Sequence, residues 1–122
     1  MGFDALDLAR KIVRDAFSRI NQLDKFDPLR NQASRSAISV VSNLAEGNQR
    51  RGKDRRQLFL IAKGSLAELK EQLIIINFQY SFSDDWDDIE RLHKMIYGLV
   101  MACESQSHTH TQSQKRVSAE CL

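Results

Sequence analysis

The chain reads as an all-α protein, an antiparallel up-down-up-down four-helix bundle. Three observations predict this. Apolar residues recur at steps of three and four along four separate stretches, the spacing that keeps one stripe on one helix face. Proline occurs once and glycine five times in 122 residues, too few turn formers for an all-β fold. The connections between the stretches are short, which favours antiparallel neighbours. With roughly 100–200 residues in a typical domain, one domain is expected: a bundle over residues 1–104 and a disordered polar tail over 105–122.

The first helix is carried by Leu6, Ala9, Val13, Ala16, Ile20 and Leu23. Asp7 with Lys11 and Asp15 with Arg19 are i,i+4 pairs that support its outer surface. Asp27-Pro28 opens the second helix. The carboxylate can accept free N–H groups there, and proline at the first position lacks only a hydrogen bond that the helix would not make. Its stripe is Leu29, Ala33, Ala37, Val40 and Leu44, flanked by Ile38, Val41 and Ala45, and Gly47 is expected to end it. A basic loop over 48–53 follows, and Asp54 can cap the third helix. That helix carries Leu58, Ala62, Leu66, Leu69, Leu73, Ile76 and Tyr80, with Phe59, Ile61, Ile74 and Ile75 apolar off the stripe. Such a surplus marks either the most buried helix or a face that meets another subunit. Phe78, Tyr80 and Phe82 fall where the period is lost. Ser83-Asp84 then restarts a helix with Ile89, Leu92, Ile96, Leu99 and Cys103 on its face.

No stretch approaches the ~18 consecutive apolar residues of a membrane span, and Met1–Leu23 lacks the apolar core of a secretory signal. Two cysteines, one at position 121, make no disulfide framework, so a reducing cytoplasm is the expected setting. Net charge is only +2, but it is unevenly spread. Residues 46–63 hold six cations (Arg50, Arg51, Lys53, Arg55, Arg56, Lys63) against two acids, and residues 84–90 hold five acids and no cation.

The run Arg35-Ser-Ala-Ile-Ser-Val-Val-Ser-Asn-Leu-Ala-Glu-Gly47, followed by Phe59-Leu-Ile-Ala-Lys-Gly-Ser-Leu-Ala-Glu-Leu69, resembles the proteins encoded in 23S ribosomal RNA intervening sequences. The likeness is most specific at Ser42–Gly47 and Gly64–Leu66 and extends over about residues 3–103. It implies a left-handed four-helix bundle assembled as a ring-like homopentamer. It also brings in a relative, the accessory variability determinant of diversity-generating retroelements, a basic pentamer that binds nucleic acid and a reverse transcriptase. Val41 stands where many members have proline, so the second helix is expected to be less kinked.

The basic cluster is the main functional lead. Arg56, Lys63 and Lys70 fall seven apart on one helix face, with Arg50, Arg51, Lys53 and Arg55 at its start. Repeated around an oligomer, these cations would neutralise several phosphates of RNA or DNA. Few aromatics accompany them, so recognition of backbone or shape is expected rather than base stacking. The alternative is a structural homo-oligomer with protein partners, whose cations are solvated or pair with a neighbour's Asp84–Glu90 segment. No enzyme, metal or cofactor is expected. Consecutive acids around a helix do not converge on one ion. Glu90-x-x-His93 is a single copy of a motif that di-iron bundles need twice, and His108 and His110 lie in the expected tail. On the second helix Arg35, Ser39, Ser42 and Glu46 form a polar stripe beside Asn43. Opposite it, Gly64 and Ser65 suggest a tight crossing. Asn43 and Glu46 are therefore expected to fix the packing of the second and third helices or a subunit interface, a polar binding site being the rival reading.

Overall fold

The computed structural model describes residues 3–79 and 86–113, with side chains described through residue 103. It is all-α. Helices α1 (Asp4–Ile20), α2 (Pro28–Gln49), α3 (Gly52–Gln79) and α4 (Asp87–Ser113) pack around one apolar core, in an arrangement consistent with a bundle. No helix is long and apolar enough to cross a membrane, among the described residues.

The core follows the stripes, with shifts of phase. Ala33, Ala37, Val40 and Leu44 of α2 are all buried. On α1 the buried set includes Ala5, Leu8 and Ile12, and Val13 is only half-buried. The largest shift is at the start of α3. Phe59, read as off the stripe, is 0% exposed, and Leu58 is half-buried. Its ring lies 6.1 Å from that of Phe3, which brings the start of α1 onto the α2–α3 end of the molecule. The surplus apolar residues of α3 thus divide. Phe59 joins the core, whereas Ile61 and Ile75 stay 41% and 44% exposed.

Asp27 caps α2 as its sequence predicts, its Oδ1 accepting from Leu29 N at 3.0 Å with Pro28 in the first turn. Arg30 then reaches back across the turn and donates to Leu23 O at 3.1 Å, tying α2 to the end of α1. The glycines correct the reading of the next turn. Gly47 does not end α2, which continues to Gln49. It is buried against α3, and a Cβ there would lie 2.7 Å from Phe59 Cε1 and 2.8 Å from Cδ1. Gly52 instead supplies the turn, with φ 62°, a left-handed conformation that a Cβ would strain. The connection is only Arg50 and Arg51, and Asp54 sits in the first turn of α3 rather than before it.

Contact at two levels sets the direction of α2 and α3. Gly47 faces Phe59, and lower down the hydroxyls of Ser39 and Ser65 meet at 2.7 Å. Positions fall on α2 as they rise on α3, so these helices run antiparallel.

Helix α4 runs on to Ser113, past residue 104 where a polar tail was expected. Once a helix has started, each further residue adds one backbone hydrogen bond at little cost, so an apolar stripe can stop before its helix does. Residues 114–122 of that tail lie outside the described residues, as do Tyr80, Phe82 and the Ser83-Asp84 start expected for the last helix. Cys103 ends the α4 stripe in the core.

Candidate nucleic-acid interface

The seven cations that the sequence groups on one face are sorted by the structure into two environments. Two of them are neutralised by acids. Arg50 donates to Glu46 Oε2 at 2.5 Å and lies 3.8 Å from Asp54, an i,i+4 partner on each side. Lys70 donates to Glu90 Oε2 at 2.5 Å across the α3–α4 contact. Since Arg56, Lys63 and Lys70 share a face, that face turns toward α4, and all three are half-buried. The expected continuous strip from Arg50 to Lys70 is therefore interrupted.

What remains is a compact group at the α2–α3 turn. Arg51 and Lys53 are exposed and have no carboxylate partner among the described residues. Arg55 stacks over the Phe59 ring at 5.4 Å, which fixes its guanidinium at the surface edge of the core. Burial first, and then the charge of Arg51, push the Arg55 guanidinium below its ordinary value, though it remains a permanent cation. The positive end of the α3 dipole points the same way, where the first-turn N–H groups lack helical acceptors. Such an arrangement attracts a polyanion, and its cations crowd one another when no anion is there.

The acidic side is used within the chain. Asp88 pairs with Lys11 at 3.0 Å, and Glu90 with Lys70. The Asp7–Lys11 pairing expected from spacing is replaced by Asp7 with Arg10 at 3.6 Å, because Lys11 crosses to α4. Arg19, expected on Asp15, lies over the Trp86 ring at 5.9 Å. Asp84 and Asp85 lie outside the described residues. The Lys70 hydrogen bond, and next its charge, hold the Glu90 carboxyl below the usual carboxylate range. With the folded carboxyl titrating below the unfolded one, the pair's contribution is complete above the ordinary value and is lost as pH falls through the folded value. Lys70→Met is expected to raise the Glu90 titration midpoint back toward 4.5, followed by NMR of its side-chain carbonyl carbon. An unmoved midpoint would contradict this pairing in solution.

The polar stripe of α2 behaves differently from the basic face. Asn43 donates to the Ser39 carbonyl at 2.9 Å and to its hydroxyl at 3.0 Å, so it orients the serine that meets Ser65. Glu46 points instead to Arg50. Ser39 and Ser65 also line a polar groove of about 410 Å³ with Gln32, Arg35, Ser36 and Glu68. Ser42 faces the other side, where it lines an apolar groove between α1 and α2. Gly64 makes no tight crossing: a Cβ there would meet nothing within 4 Å.

The sequence reading missed the α1–α2 groove, because its walls come from helices whose relative rotation no single stripe reveals. Among the described residues, no group of three or more His, Cys, Asp or Glu could hold a metal ion, and His93 is half-buried on α4. In comparison with known proteins, the family model described as 23S rRNA-intervening sequence protein matches residues 3–98. No curated protein and no solved structure matches.

Proposed function

We propose, from the premise that this chain belongs to the 23S rRNA-intervening sequence protein family, that it is a non-enzymatic, self-associating helical protein that binds RNA or DNA through the α2–α3 turn. One observation carries this reading: Arg51 and Lys53 stand beside Arg55 without carboxylate partners among the described residues, while nearby Arg50 is neutralised on both sides. A solvated face has no need to keep two kinds of cation so close together. The family name supports RNA as the first polyanion to test.

Repetition of the turn around a homo-oligomer, a pentamer by resemblance, would multiply a modest patch into a site that spans several phosphates. Binding would read backbone and shape, since the one aromatic at the turn, Phe59, is covered by Arg55 and buried. The alternative, a scaffold whose charges serve only protein contacts, draws on the ion pairs that consume Arg50 and Lys70.

Salt separates the two. Fluorescence anisotropy of a labelled structured RNA should show binding at about 50 mM salt that weakens by at least about tenfold at about 150 mM, as released counterions require. A scaffold would leave the RNA free at both concentrations.

A further inference from the structure

Two exposed surfaces of this chain are complementary to each other. The groove between α1 and α2 has a volume of about 340 Å³ and is lined by Arg10, Val13, Arg14, Ile38, Val41 and Ser42. Its walls are apolar, with Ile38 54% exposed at one lip, and its charges are the two guanidiniums of α1. Arg10 reaches Asp7, but Arg14 has no carboxylate partner among the described residues. An apolar surface of this size with a cationic rim fits a stripe of apolar side chains that also carries carboxylates.

Helix α3 presents such a stripe. Ile61, Glu68 and Ile75 lie seven residues apart on its outer side, beside Glu71, and all four are exposed. The stripe spans roughly 21 Å at 1.5 Å per residue. Gly64 lies within it, and a Cβ there would meet open space, so a second helix can approach the backbone closely at that point.

We infer that the α3 stripe of one copy docks into the α1–α2 groove of a second copy. An isoleucine enters between Val13, Ile38 and Val41, and Glu68 meets the Arg10–Arg14 rim. This rests on the self-association reading above and assigns it two faces. Because the faces differ, the contact is heterologous: every copy offers one groove and one stripe, and the succession either closes into a ring or continues.

The test uses two variants of the full chain, each changed only at exposed positions, with helicity checked by circular dichroism. Ile38→Asp spoils the groove, and Ile61→Lys with Ile75→Lys spoils the stripe. By sedimentation equilibrium the native chain should exceed the 14.0 kDa of a protomer, and each variant alone should fall to that mass. Mixed in equal amounts, the variants should reach twice that mass and stop, since the mixture contains one intact groove with one intact stripe. A variant that keeps the native assembly, or a mixture that stays at protomer mass, overturns the docking. A native chain at protomer mass overturns the self-association reading as well. Arg14→Glu and Glu68→Arg give a second pair that leaves the apolar surfaces intact: assembly should be lost in each alone and should resume in the mixture, where unlike copies must alternate and so associate in even numbers.

Discussion

Gly47→Ala should destabilise the fold by about 1–2 kcal/mol, whereas Gly64→Ala should stabilise it by up to about 1 kcal/mol. Both glycines lie inside helices, where alanine is favoured by ~1 kcal/mol. At Gly64 the added methyl meets nothing within 4 Å in its own chain, so in the dilute protomer that preference acts alone. At Gly47 the methyl would come within 2.8 Å of two carbons of the Phe59 ring. That ring is fully buried and held between Phe3 and Arg55, so it has no open space to turn into. Overpacking of this kind costs about 1–3 kcal/mol and outweighs the helix preference. At roughly 4 °C per kcal/mol for a domain of this size, the two variants should melt roughly 10 °C apart. Urea denaturation of dilute protein would check the difference. Phe59→Leu in the Gly47→Ala background should recover part of the loss, a coupling that appears only if the two residues touch. Equal stabilisation by both alanines would show that α2 and α3 are not so close at this level.

Loss of the three turn cations should have the largest functional effect. Changing Arg51, Lys53 and Arg55 to alanine removes the cations of the turn other than Arg50, which Glu46 and Asp54 neutralise. Each phosphate contact contributes about 0.7–0.9 to the slope of log affinity against log salt. The triple variant should therefore flatten the slope by about 2–3 and weaken RNA binding at low salt on the order of 100-fold. Folding should be little affected, since Arg51 and Lys53 are exposed and Arg55 is only half-buried, with its stacking on Phe59 at the edge of the core.

Much of this was legible in the sequence, and the failures share a cause. Helix number, the Asp27-Pro28 start of α2, the buried face of α2 and most of that of α4, where Val100 is buried and Leu99 only half-buried, follow from residue type and spacing, which are local. Gly47 was misread because a glycine near the end of an apolar stripe looks the same whether it closes the helix or makes room for an aromatic ring. Only the position of Phe59 on the neighbouring helix distinguishes these cases. Phe59 was misplaced because adjacent residues at the start of a stripe differ by one helical step, and tertiary contact with Phe3 selects the phase. The basic cluster was visible as charge, but its division was not. Arg50 had candidate partners four residues away on either side, whereas the Lys70–Glu90 pair joins helices twenty residues apart. The exposed Ile61 and Ile75 were seen as a surplus on α3, and the groove that complements them belongs to other helices.

The sorting of these cations offers the most direct test of the central claim, that the α2–α3 turn is a nucleic-acid site. The measurement is RNA anisotropy at low salt on three proteins: the native chain, the Arg51/Lys53/Arg55→Ala variant, and a variant with Arg50 and Lys70 changed to alanine. If the turn cations bind phosphate, the first variant loses binding on the order of 100-fold, and the second stays within about threefold of the native chain. Losses in proportion to the three and two cations removed would mean that net charge alone governs the interaction, and undiminished binding by the first variant would place the nucleic acid elsewhere on the molecule.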